Sequence, residues 1–115
     1  MVRKAPEAKE KTLEITIEEY ATAVDLLSGI AQQDTSGSRA AAQVLLSAYN
    51  GENWQLDITD LGVLSSNYYE AALVVIRGRT ELMIEPHTLI ENGEAIFDRL
   101  WDLWQAFHVK NRGKG

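Results

Sequence analysis

The stretch GEAIFDRLWDLWQAFHV, residues 93–109, decides the fold. Wound at roughly 100° per residue, it places Ile96, Leu100, Leu103 and Phe107 in one stripe. Phe97, Trp101, Trp104 and His108 form the stripe beside it, and together they make an apolar arc of about 160°. The opposite arc carries Glu91, Glu94, Asp98, Asp102 and Gln105. A helix with so wide an apolar face must pack on other elements, and its spacing of three and four has no strand counterpart. Glu94, Asp98 and Asp102 recur every four residues, so they rise about 6 Å apart along one edge of the helix. Like charges at that spacing repel by roughly 0.2–0.5 kcal/mol per pair. No lysine lies near enough to offset the repulsion.

Upstream, the patterns are also helical. Thr16 and Glu19 have the spacing of a capping box, with Ile15 and Tyr20 placed as a hydrophobic staple. Ile17, Tyr20, Ala23, Val24, Leu27 and Ile30 follow a 3.6-residue period over 17–31. Asp34-Thr35-Ser36-Gly37-Ser38 is a turn, and an alanine-rich helix runs from about Ser38 to Tyr49, closed by Asn50-Gly51. Asp57 is set to cap a short third helix over Ile58–Leu64, with Asp60 in its first turn. Asn67 suggests the cap of a fourth, from about Tyr68 to Arg77. The centre of that fourth helix, Ala71 to Ile76, is apolar on every side, which predicts the buried middle of the molecule. Leu82-Met83-Ile84 reads as helical or extended, and Pro86 suits the first position of a short turn through Ile90. The expectation is an all-α fold: a compact bundle of about five helices over 13–109, with the last helix closing the core.

Charge is distributed unevenly along the 115 residues. Residues 1–12 hold four basic and two acidic groups, and 110–115 hold three basic groups and no acid. Both read as disordered basic tails. Residues 13–109 hold 15 acids against Arg39, Arg77, Arg79 and Arg99, a net of −11. Such a body repels nucleic acid and favours basic partners. There is no cysteine, hence no disulfide and no thiolate nucleophile or ligand. No apolar run reaches the roughly 18 residues of a membrane span, and no apolar segment follows the basic N-terminus as in a secretory signal. These features point to a cytoplasmic location.

Residues able to do chemistry are few. His87 and His108 are the only histidine bases; His108 sits on the apolar edge of the last helix as a packed aromatic, and His87 reads as solvated. No zinc or calcium ligand spacing occurs, and Asp57 and Asp60 are explained by helix capping. There is no glycine-rich phosphate loop and no basic recognition helix. The expectation is a protein that is not an enzyme and has no catalytic residue, no cofactor and no metal. The candidate partner-binding residues are Glu91, Glu94, Asp98 and Asp102 on the acidic ridge, together with Trp54 in a polar loop and Trp101 at the apolar edge of the last helix.

Asp34-Thr35, Ser38-Arg39, Val44-Leu45-Leu46 and Leu56-Asp57-Ile58-Thr59-Asp60-Leu61 resemble a group of small bacterial proteins classed as a domain of unknown function. The likeness spans about residues 20–105. The chain departs from that pattern in its single Tyr49, where paired aromatics are usual, and in Gly62, where an aromatic is usual. The resemblance implies a phage, plasmid or integrative-element context and transfers no catalytic residue. The functional expectation is a binding module whose acidic helix docks on the basic surface of a nucleic-acid-handling protein, such as an inhibitor of a host defence complex of the anti-CRISPR or anti-restriction type. It carries no specific nucleic-acid or membrane partner. The alternative is a structural protein that forms a homodimer or larger homo-oligomer through the aromatic side of its last helix.

Overall fold

Seven consecutive residues, Ala40 to Leu46, are each no more than 2% exposed. They form two turns of the helix α2 (Ser36–Tyr49), around which the computed structural model, describing residues 15–112, is arranged. Helix α1 (Ile17–Ala31) packs on α2 and on α3 (Ser66–Arg77), while α4 (Gly93–Leu103) packs on α2. A 3₁₀ segment, Ile58–Val63, also lies against α2, and a second, Pro86–Leu89, wedges between α1, α2 and α4. The four α-helices and the Ile58–Val63 segment are the five expected helices, and no strand occurs among the described residues. The expected arm at 1–12 lies outside the described residues, as do 113–115 of the expected tail.

The sequence places the centre at the fourth helix, and here the structure corrects it. In α3 only Ala71, Ala72 and Val75 are buried, while Leu73, Val74 and Ile76 are half-exposed. Side-chain size accounts for the difference. Ala40, Ala41 and Ala42 let neighbouring helices approach α2 from all sides, whereas the branched side chains of α3 hold neighbours at full distance and fit best at a margin. The one polar side chain in the buried turns of α2, Gln43, is hydrogen-bonded at both ends of its amide. Its Nε2 donates to Asp60 Oδ2 at 2.6 Å, and its Oε1 accepts from the Asp57 amide at 2.9 Å. It thereby ties the 3₁₀ segment to the core.

Most local capping follows the sequence, although the cap expected at Asn67 falls inside α3, which starts after Ser65. The Thr16 hydroxyl accepts from the Glu19 amide and the Glu19 carboxylate accepts from the Thr16 amide, both at 3.0 Å. Thr35 caps α2 by accepting from the Ser38 amide, and Asp57 Oδ1 accepts from both the amide and the hydroxyl of Thr59. Pro86 opens its 3₁₀ turn, as expected. Helix α3 ends at Arg77, as expected, and the chain then widens into a π turn, Gly78–Leu82, before Met83 adopts left-handed φ.

The cause lies across the core. A Cβ on Gly78 would sit 2.3 Å from Cγ of the buried Tyr20, so only glycine lets α3 lie on that ring. The Tyr20 hydroxyl donates to the Ile84 carbonyl at 2.7 Å, which holds the chain after the π turn against α1. Burial pushes the Tyr20 phenol up to about 12; Arg79 opposes this and Glu85 adds to it.

The last helix is shorter than its pattern. It ends at Leu103, and Gln105–Phe107 is a 3₁₀ turn. The Trp104 indole N–H donates to the Ala31 carbonyl at the end of α1, at 2.9 Å. The Asn111 side-chain amide and Arg112 Nε then donate to the carbonyls of Gln105 and Phe107. These bonds anchor a bend that a continuous helix could not make. Leu103, expected on the inner stripe, is consequently 53% exposed. Lys110–Arg112, expected within the tail, form turns, with Arg112 also donating to the Gln55 carbonyl.

Gly78→Ala is expected to lower stability in urea by about 1–3 kcal/mol through overpacking on Tyr20. Gly29→Ala, at an exposed helical site with nothing within 4 Å of the new Cβ, should raise it by about 0.5–1 kcal/mol. A second expectation concerns pH. The Tyr20 pKa is raised on folding, so its stabilising effect is complete below pH 10 and disappears as pH rises toward about 12. Equilibrium unfolding between pH 9 and 12 should show that loss, and Tyr20→Phe, though less stable at neutral pH, should flatten it.

Candidate acidic and aromatic interface

Helix α4 keeps its two faces although its end bends. On the inner side, aromatic rings run in an unbroken series. His87 meets Tyr49 edge-on at 4.9 Å, Tyr49 meets Trp101 at 6.2 Å, Trp101 meets Trp54 at 5.1 Å and Trp54 meets His108 at 5.2 Å. Edge-to-face geometry at these separations is the favoured arrangement of ring quadrupoles. Phe97, fully buried, packs under Tyr49 at 5.2 Å. On the outer side Glu94, Asp98 and Asp102 are exposed, and among the described residues none has an ion pair. Arg99, the one cation of α4, points away and donates to Gln32 of α1 at 2.7 Å.

The two faces meet in a cleft of about 450 Å³ lined by Tyr49, Asp98, Trp101 and Asp102. Next to it, a second cleft of about 490 Å³ is lined by residues 87–88 and 92–95. Gly93 shapes this one: a Cβ there would fall 1.8 Å from the His87 carbonyl oxygen, so the start of α4 rests directly on the backbone of the Pro86–Leu89 turn. The Tyr49 phenol connects the clefts electrostatically. Burial raises its pKa above the ordinary 10, and the negative charges of Asp98, Glu85 and Glu94 raise it further. Aromatic faces beside unpaired carboxylates suit a cation, above all a guanidinium, which stacks and donates at once.

Not every candidate residue joins this arrangement. Trp54, expected at a partner surface, is 1% exposed. Asn50 Oδ1 accepts from the amides of Glu52 and Asn53 and folds the loop back across the end of α2. An antiparallel bridge with His108, in which the Val109 amide donates to the Asn53 carbonyl at 2.9 Å, then covers the indole. Glu91 is exposed but does not extend the ridge. Left-handed Asn92 turns the chain after it, and Glu91 lines a different cleft with Thr22 and Asp25 of α1. Trp101 is half-buried at the cleft, and Glu94, Asp98 and Asp102 keep their expected row. His108 packs between Trp54 and Trp101 as a core aromatic, its Nδ1 accepting from the Lys110 amide. His87, expected in solvent, is half-buried against Tyr49 and Phe97, and its Nδ1 has no hydrogen-bond partner among the described residues.

Sequence reasoning did not single out Tyr49 and did not place His87 against it. Tyr49 closes α2 just past its buried turns, Ala40–Leu46, and its ring leaves the core toward α4. Asp57 and Asp60 serve the Ile58–Val63 segment as cap and anchor, and among the described residues no three His, Cys, Asp or Glu side chains group as metal ligands.

Trp54→Ala should cost about 3–5 kcal/mol in unfolding free energy, as a core deletion does. Phenolate absorbance should show Tyr49 ionising above the ordinary tyrosine range, with Asp98→Asn moving it back toward that range.

No helix among the described residues is long and apolar enough to cross a membrane. Residues 21–105, well over half the chain, match the model of a family of unknown function, DUF7673. No curated protein and no solved structure matches the chain.

Proposed function

The chain belongs to the DUF7673 family, and from that premise we propose that it is a non-catalytic binding protein that uses the outer face of α4 to dock on a basic surface of another protein. The observation that carries the reading is the row of Glu94, Asp98 and Asp102, exposed and without ion pairs among the described residues, beside the rings of Tyr49 and Trp101. Carboxylates held at a helical repeat with no internal cation keep a repulsive cost, and an arriving arginine or lysine removes it. The aromatic floor supports the same partner chemistry through cation–π contact.

Basic surfaces that accept a regular row of negative charge are characteristic of proteins built to hold phosphate backbones. The proposed partner is therefore a nucleic-acid-handling protein, with the domain covering its charged groove. An origin on a phage or other mobile element, and a role as an inhibitor of a host defence complex of the anti-CRISPR or anti-restriction type, fit the small size and the net charge of −11 over residues 13–109. In this reading the protein resides in the cytoplasm and performs no chemistry.

The test is capture of partners from the native host with the wild-type chain and with a variant carrying Glu94→Lys, Asp98→Lys and Asp102→Lys. All three side chains are exposed, so the variant should keep its helical spectrum while partner affinity falls by at least about tenfold. Affinity of the wild type should also decline steeply from roughly 0.05 to 0.5 M salt. A partner bound equally by the lysine variant, or indifferently to salt, would overturn the reading.

A further inference from the structure

Asp98 and Asp102 stand one helical turn apart on α4, exposed and without ion pairs among the described residues. With Tyr49 and Trp101 they line the cleft of about 450 Å³. Small-ligand clefts run from roughly 300 to 1,000 Å³, so this one suits a single side chain rather than a helix or strand. The Tyr49 and Trp101 rings stand at 88° with centroids 6.2 Å apart, two walls at a right angle. Packing holds both: His87 and Phe97 lie against Tyr49, and Trp54 and His108 lie against Trp101. The rings are a feature independent of the charges. Exposed carboxylates alone attract any hydrated cation, whereas ring faces beside them favour a cation that gives up part of its water. The Tyr49 phenol registers the negative field of the cleft, its pKa raised first by burial and then by Asp98, Glu85 and Glu94.

We propose that this cleft is a receptor for a single guanidinium, so that the side chain anchoring the basic partner is an arginine and not a lysine; the partner half of this statement rests on the docking role of α4. The carboxylate spacing is the first reason. Residues four apart rise about 6 Å along a helix, and mutual repulsion keeps the two short side chains from closing that distance. An ammonium is one nitrogen, and two acceptors each about 2.9 Å from it lie within about 5 Å of one another. A guanidinium spreads its N–H groups over three nitrogens around a plane, so it donates to both carboxylates from different edges. The ring walls are the second reason. A planar, weakly hydrated cation stacks on one ring while its edges stay directed at the carboxylates. A compact, strongly hydrated ammonium keeps its water and stays outside.

Titration of the isotope-labelled full chain with acetyl-arginine methylamide, followed by NMR at the Trp101 indole N–H, tests this, with the lysine and citrulline analogues for comparison. The arginine probe should shift that signal with a Kd on the order of 1–10 mM. The lysine probe should bind at least about threefold more weakly, and citrulline, nearly equal in shape but uncharged, should not bind. Asp98→Asn and Asp102→Asn, both at exposed positions that do not carry the fold, should each weaken arginine binding by at least about threefold. Asp25→Asn, which removes one exposed carboxylate beside a different cleft, should leave it within about twofold. Lysine bound as tightly as arginine, an Asp25→Asn effect equal to those of the two cleft variants, or no Trp101 shift at about 50 mM arginine probe would overturn the proposal, even with the acidic row still needed for partner capture. Arginine seated at Trp101, with partner capture indifferent to the Glu94→Lys, Asp98→Lys, Asp102→Lys exchange, would instead support the receptor and fault the docking role.

Discussion

The fold depends on a helix with no outside. Two turns of α2 are enclosed on every face, and this is achievable only because three of their seven residues are alanine and the single polar side chain, Gln43, spends both ends of its amide on the Asp57–Asp60 corner. A buried amide with one end unpaired would cost about 1–3 kcal/mol; satisfied, it sets the position of the 3₁₀ segment. At the C-terminal end of α2, Tyr49 emerges from the enclosure toward α4 and lines the acidic cleft.

What could be read in advance was local. The Thr16–Glu19 box, the Asp57 cap and the Pro86 turn need only neighbours in sequence, and each occurs in the structure. The periodic runs set helix type, and the Glu94–Asp98–Asp102 row kept its outward face because that face depends only on helical geometry. What could not be read was relational. The all-round apolar pattern of residues 71–76 says that burial is needed but not by what. The alanines of α2 resolved that competition through volume, which periodicity does not register. The bend at Trp104 was hidden for a similar reason, since its cause is the carbonyl of Ala31 at the far end of another helix. Gly78 and Gly93 are relational in the same way: both are close-approach sites, against a ring in one case and a backbone carbonyl in the other.

The acidic ridge and the aromatic series are two sides of one element, and this couples recognition to stability. Tyr49 and Trp101 belong to the packed series that runs from His87 to His108, yet both line the cleft with Asp98 and Asp102. A cation entering there meets rings whose orientation is already set by the core, so little side-chain freedom remains to be lost on binding. The same rigidity limits how far the surface can vary. Exchanging a carboxylate changes charge alone, whereas exchanging either ring disturbs the interior.

The bridge between Trp54 and His108 joins residues from opposite halves of the chain. The indole is sealed only when Val109 reaches back to the Asn53 carbonyl, which requires that α4 has already docked and the chain has already bent at Trp104. Closure entropy must be met before any of those contacts form. Assembly of this domain is therefore expected to finish rather than begin here. During synthesis, a nascent chain still lacking residues 104–112 would carry an uncovered tryptophan, leaving the strap over residues 108–112 to act as the latch on the folded domain.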